Sequence, residues 1–159
     1  MERWDVVVVG GGPAGAACAA AARQADPGAR VLVLDRAGFP RDKVCGDGIA
    51  AEAFDVLAGL GLDTAALTDG FPPVPRLRLH SPGGGTSERP LPRPARVVPR
   101  AVFDARLLEA ALATGAELRR HQVRRIEPGP DGVVVDGVLE AGVLVYLRGL
   151  GIPEVAEGQ

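Results

Sequence analysis

VVVVGGGPAGAACAAAARQADPGARVLVLD, residues 6–35, decides the fold. The apolar run Val6 to Val9 reads as a strand and leads into Gly10, Gly12 and Gly15 at the G-x-G-x-x-G spacing. An alanine-dense segment then predicts a helix. Val31 to Leu34 predicts a second strand, closed by Asp35 twenty positions after Gly15. Strand, glycine turn, helix, strand and acid together predict a dinucleotide-binding βαβ unit. Each residue type has a physical task. Gly10 lets the chain turn sharply out of the strand, and Gly12 lets a pyrophosphate approach the backbone. Gly15, with Ala14, Ala17 and Ala21, lets the helix lie close to the strands. Pro13 suits the first helical turn, where its missing N–H costs nothing. The helix N-terminus turns unpaired N–H groups and about +0.5 of a charge toward phosphate. Asp35 can accept hydrogen bonds from ribose hydroxyls.

Composition narrows the field. A chain of 159 residues is one domain, or one domain with a small lobe, and is long enough to bury a core. Its formal net charge of −2 argues against nucleic acid as a partner. Arg119, Arg120, Arg124 and Arg125 form the one basic cluster, read as the solvated side of strands. Cys18 and Cys45 make neither a disulfide framework nor a metal pattern, and His80 and His121 have no partners at metal spacing. The N-terminus enters a strand almost at once and no apolar run approaches a membrane span, so the expected location is cytoplasmic.

Outward from the fingerprint, the pattern predicts helices over 13–24, 49–60 and 101–114. Gly61 and Gly115 serve as caps of the last two. The second helix is expected to bury Ala53, Val56, Leu57 and Leu60, and the third Phe103, Leu107, Ala111 and Leu112. Residues 69–99 hold eight of the fourteen prolines, which predicts a short β excursion at a domain edge. Arg76–His80 is its outgoing strand, with Leu77 and Leu79 on one face. Pro90, Pro92 and Pro94 are expected to break the return strand. Glu117–His121 reads as the third parallel strand. Short strands at 123–127, 133–136 and 143–147 read as a β-meander.

Four stretches carry a resemblance to a known family: Val6–Gly15, the strand-end pair Asp35-Arg36, Phe39–Ile49 (FPRDKVCGDGI) and Val98–Leu107 (VPRAVFDARL). Together they resemble flavoproteins of the geranylgeranyl-reductase type, within the para-hydroxybenzoate-hydroxylase-like class, over about residues 4 to 142. The resemblance implies an α/β, Rossmann-like FAD-binding domain of the glutathione-reductase type. It has a parallel sheet, a β-meander and a short β excursion. The nucleotide-binding core then falls at 1–68 and 95–147 and the proline-rich excursion at 69–94. By the same resemblance, the glycine turn (Gly10, Gly12, Pro13, Ala14, Gly15) holds the FAD pyrophosphate. Asp35 holds the adenosine ribose, and Arg36 beside it is a further cofactor-binding residue. Arg41, Cys45, Gly46, Asp47 and Gly48 run beside the isoalloxazine, and Arg100 and the backbone at Val123 also line the site. The family uses FAD, with NAD(P)H or another donor as reductant. Its members reduce isoprenoid double bonds, hydroxylate aromatics or halogenate them.

The residues of the loop agree with that placement. Gly46 and Gly48 permit close approach to a flat ring, and Arg41 and Lys43 can offset phosphate or reduced-flavin charge. Cys45 is the one catalytic candidate, weighed against a small thiol in a tight loop. No metal site is expected. Downstream of the meander the chain departs from the family. Val143-Leu144-Val145 runs into Tyr146–Pro153 without the family's Asp-Gly turn, so the FAD-binding domain is expected to be incomplete. An open sheet edge after Leu147 is then expected to pair with a partner chain or another copy. Two other functions remain open: a nicotinamide-binding Rossmann module of a dehydrogenase, and a non-catalytic nucleotide-binding remnant.

Overall fold

The computed structural model describes residues 1–129 and 131–146. Pro130 of the predicted meander turn and everything from Leu147 onward lie outside the described residues. The described chain runs β1 (Glu2–Val9), α1 (Pro13–Ala25), β2 (Val31–Asp35), β3 (Gly48–Ile49), α2 (Ala51–Gly59) and α3 (Thr64–Leu67). It continues through β4 (Pro73–His80), β5 (Thr86–Val97), α4 (Arg100–Ala113), β6 (Glu117–Arg120), β7 (Ile126–Gly129), β8 (Gly132–Val135) and β9 (Leu139–Tyr146).

The main sheet has the order β6-β2-β1-β9-β8-β7. Its first four strands are parallel and the last three form the antiparallel meander. All five residues of β2 are buried, because a parallel strand is covered on both faces. Alternation divides them. Val31 and Val33 join Val8 beneath α1 and α4, where Ala16, Ala19 and Ala20 meet Leu107, Leu108 and Ala111. The alanines of α1 leave room for α4 to approach closely. On the other face Leu32 and Leu34 pack with Trp4, Val7, Val123, Val135, Leu139 and Ala141.

The predicted parallel α/β core is present, and the differences lie in detail. The second helix is shorter than 49–60, and α3 follows it as an extra turn. Asp63 caps α3 by accepting hydrogen bonds from the amides of Ala65 and Ala66. In α2 the inward stripe is Ala51, Phe54 and Leu57, not the expected Ala53 and Val56; Val56 is 62% exposed. Helical spacing alone leaves the phase of a short apolar helix open, and the core selects it. Prolines do not break the return strand. β5 is continuous and pairs with both β4 and β3, but residues 91–94 face Pro75 alone, between the pairs Val74↔Ala95 and Arg76↔Pro90. Pro92 and Pro94 therefore sit in a bulge, where no ladder bond asks for their missing N–H. Leu77 and Leu79 of β4 are exposed.

The last strand departs most. In place of a short strand at 143–147, β9 begins at Leu139 and lies between β8 and β1. It runs parallel to β1 from Glu2↔Leu139 to Val9↔Tyr146. Residues 121–125 are irregular, so Val123 is not on a strand as expected.

Candidate functional site

The site gathers at the carboxyl ends of β1 and β2, where the crevice of an open parallel sheet lies. Gly10 takes a φ of 108°, which an L-residue with a side chain adopts only under strain. It donates its N–H to the carbonyl of Leu34 at 2.7 Å, clamping the turn to the end of β2. Gly12 is the N-cap of α1 and Pro13 opens the helix; no side chain caps the first turn, formed by Pro13, Ala14 and Gly15.

Asp35 closes β2 and is nearly buried. Its Oδ2 accepts the amide of Gly11 at 2.7 Å and its Oδ1 accepts the amide of Ala37 at 2.9 Å. Its backbone carbonyl accepts the amide of His121 at 2.8 Å, which ties in the end of β6. Arg36 follows on the exposed side, where its carbonyl accepts from Nε of Arg120 at 3.2 Å.

The loop from Ala37 to Asp47 then folds back over the glycine turn. A Cβ on Gly11 would lie 3.2 Å from the Phe39 ring, and one on Gly12 would lie 3.3 Å from Nη2 of Arg41 and 3.9 Å from Nη2 of Arg100. Two guanidiniums therefore converge on one residue without a side chain. Behind them stands Asp104, which is fully buried. Arg100 donates Nε–H and Nη2–H to its two oxygens at 2.6 and 2.8 Å, one helical turn apart on α4. Arg41 approaches the same carboxylate at 3.3 Å and Asp35 at 3.9 Å, with its guanidinium over the Phe39 ring. Hydrogen bonding to Asp104 raises the pKa of Arg100 well above its ordinary value.

Cys45 is exposed. The backbone N–H of Asp47, and after it the Arg100 guanidinium, stabilise its thiolate and lower its pKa. Asp47 holds a φ of 55°, and its carbonyl accepts from the amide of Val98 at 3.0 Å, just before α4 begins. Gly48 starts β3. A Cβ on Gly46 would meet nothing within 4 Å, so no packing inside the chain asks for glycine there.

The structure thus brings together Gly10, Gly12, Pro13, Ala14, Gly15, Asp35, Arg41, Cys45, Asp47 and Arg100. The side chain of Val123 packs in the core layer on the opposite face of the sheet, which leaves its backbone alone for the site. Sequence reasoning missed Asp104, Gly11 and Phe39. The signal for Asp104 is its i,i+4 spacing from Arg100, on a helix whose apolar stripe dominates the pattern.

A second polar cluster lies beyond β6. Nε2 of His121 and Oδ2 of Asp136 are 2.6 Å apart, and Oδ1 of Asp136 accepts the amides of Arg124 and Arg125 at 2.9 and 2.6 Å. Burial opposes ionisation of Asp136, but His121 and the two amides outweigh it and keep the pKa below the ordinary carboxylate range. The cluster borders a hollow of about 530 Å³. No grouping of three or more metal-ligating side chains occurs among the described residues. No helix among them is long and apolar enough to cross a membrane.

Comparison with known proteins agrees with this geometry. The sequence pattern of the family described as "FAD binding domain" matches residues 3–138. Menaquinone reductase of Mycolicibacterium smegmatis is 42% identical over 125 residues, 73% of this chain and 28% of that protein. Digeranylgeranylglycerophospholipid reductase 2 of Methanopyrus kandleri is 33% identical over 159 residues, 94% of this chain and 38% of that protein. The structure of the myxobacterial chondrochloren halogenase CndH superposes with a TM-score of 0.78 at 28% identity, covering 94% of this chain and 38% of that one. The chain thus spans well under half the length of these relatives. With the fingerprint, Asp35 and the sheet order all in place, this chain belongs to the FAD-binding domain family.

Proposed function

We propose that this chain provides the adenosine and pyrophosphate half of the FAD site of a flavin-dependent oxidoreductase, a reductase or monooxygenase of isoprenoid or aromatic substrates. The convergence of Arg41 and Arg100 on Gly12, beside an uncapped helix start, carries the reading. A Cβ would fill that cradle; its absence leaves room for a dianionic pyrophosphate against two donors of fixed charge. Asp35 spends one lone pair of each oxygen on a backbone amide and retains acceptor capacity for ribose hydroxyls.

In this reading Gly10, Gly12, Pro13, Ala14 and Gly15 form the phosphate turn. Asp35, Arg36 and the backbone at Val123 border the adenosine. Arg41, Cys45, Gly46, Asp47 and Gly48 lead toward the isoalloxazine, and Arg100 pairs with phosphate. Bound FAD would supply the electron-transfer chemistry. The residues of this chain bind it, orient it and favour the thiolate form of Cys45 nearby. The names of the two reductases support the isoprenoid side of the substrate pair, and NAD(P)H as electron donor belongs to the same proposal. A cytoplasmic location belongs to the same proposal. A bare nicotinamide module needs only the glycine turn and Asp35; the Arg41–Asp104–Arg100 cluster and the glycine-bounded Cys45 loop favour FAD.

The isoalloxazine end is proposed to need further chain, from the rest of a longer protein or from a partner. β8 pairs with β9 only at Leu139–Ala141, so the outer edge of Val143–Tyr146 has no strand partner among the described residues. Val143 is 55% exposed there. Such an edge invites pairing with another strand. The test is titration of the purified chain with FAD and with NAD⁺, followed by visible spectroscopy of the gel-filtered complex. Retained flavin colour, weak turnover of NADPH, and self-association reduced by Val143→Lys are the expected results. Binding of NAD⁺ but not FAD overturns the reading.

A further inference from the structure

We propose that Asp104 is the positioning residue of the phosphate site: it aims Arg100 and Arg41 at Gly12 from behind. The proposal rests on the FAD reading above and adds a residue to it. Three observations carry it. Asp104 is the one fully buried carboxylate among the described residues, and both its oxygens are engaged. It holds Arg100 in a bidentate fork and Arg41 at 3.3 Å. The guanidinium nitrogens that face Gly12 are Nη2 of each arginine, both within 4 Å of where a Cβ would stand.

A buried carboxylate without partners would be costly, so the pairing is required for the fold, and it leaves the outward N–H groups for a ligand. A guanidinium has five donors; Arg100 directs Nε–H and one Nη2–H at Asp104, and the rest remain. An arginine so held loses little side-chain entropy when phosphate arrives.

Charge and position make opposite predictions. Removing the Asp104 charge takes away the carboxylate that Arg41 and Arg100 share and leaves Arg41 opposed by Asp35 alone, so Coulomb attraction to a pyrophosphate grows. If position dominates, FAD affinity falls instead. The experiment measures FAD and ADP dissociation constants by calorimetry for wild type, Asp104→Asn, Arg41→Gln/Arg100→Gln, and the triple variant. The expected result is an affinity loss of about tenfold in Asp104→Asn for both ligands, the scale of one charge-assisted hydrogen bond. In the Arg41→Gln/Arg100→Gln background the same substitution then changes affinity less than about twofold, because the residues it acts through are gone.

Equal or tighter FAD binding by Asp104→Asn overturns the proposal. So does an equal loss in both backgrounds. A wild type that binds neither FAD nor ADP overturns the cofactor reading itself, and the proposal with it. Should Asp104→Asn not fold, arginine side-chain NMR of the wild type decides. A hydrogen-bonded, slowly exchanging Arg100 Nε–H is expected without ligand, with the Arg100 Nη signals shifting on addition of ADP. A freely exchanging Nε–H, or Nη signals indifferent to ADP, overturns the proposal.

Discussion

Gly11 donates its amide hydrogen to Oδ2 of Asp35 at 2.7 Å, joining two residues twenty-four positions apart. The acid at the end of β2 therefore holds the glycine turn before any ligand arrives. Its other oxygen holds the amide of Ala37, where the Cys45 loop departs. One side chain links the turn, the loop and the ribose end of the proposed site.

Asp35→Ala should accordingly do two things. The amides of Gly11 and Ala37 lose their acceptor, which costs about 1–3 kcal/mol for a buried unsatisfied group. FAD affinity should fall about tenfold or more, because charge-assisted bonds to the ribose are lost as well. Thermal unfolding and calorimetric titration measure the two effects. Unchanged FAD affinity in a folded Asp35→Ala would remove Asp35 from the site.

Gly12→Val should separate binding from stability. The φ of Gly12 is −72°, open to any residue, and the nearest obstacle is the flexible end of Arg41. The free protein should therefore unfold within about 1 kcal/mol of wild type, because the crowding falls on a movable side-chain end and not on backbone. The new side chain occupies the cradle beneath Arg41 and Arg100, so FAD affinity should drop more than the tenfold expected for Asp35→Ala. Equal FAD affinity in wild type and Gly12→Val would show that pyrophosphate binds elsewhere.

Cys45 should alkylate at a pH where Cys18 does not. The Asp47 amide and Arg100 lower its pKa, whereas burial in α1 raises that of Cys18. The thiolate is the reacting species, so iodoacetamide labelling followed by mass spectrometry should find Cys45 modified first at neutral pH. Arg100→Gln should slow that labelling, and saturating FAD should shield Cys45 if the loop lies over the flavin. Labelling of Cys45 that is indifferent to both would disconnect the thiol from Arg100 and from the cofactor.

Asp136 predicts a pH dependence of stability. Its folded pKa is depressed, so its contribution is present above the unfolded carboxylate value of about 3.9 and is lost as pH falls through the lower folded value. Asp136→Asn keeps a residue suited to the φ of 49° and removes the charge. Wild type should melt higher than Asp136→Asn at neutral pH, with the gap closing in acid below about pH 4. A gap that stays constant from pH 7 to pH 3 would show that ionisation of Asp136 does not stabilise the fold.

Much of this protein was legible in the sequence because its signals are local. The G-x-G-x-x-G turn, the alanine helix and the acid at β2 lie within residues 6–35 and specify a βαβ unit by spacing alone. Arg100 and the loop at Arg41–Gly48 were both legible only through resemblance to a family. What tertiary structure decided is non-local. The inward face of α2 was set by the core it meets, not by helical period. β9 became a central strand because β1 offered an unpaired parallel edge, a partner more than a hundred residues away. The bulge that absorbs Pro92 and Pro94 depends on the register with β4. Asp104 reads in sequence as an ordinary polar helix residue. Only packing α4 against α1 and folding the Arg41 loop across it buries the carboxylate and surrounds it with two arginines, because burial and charge pairing are properties of the assembled layers.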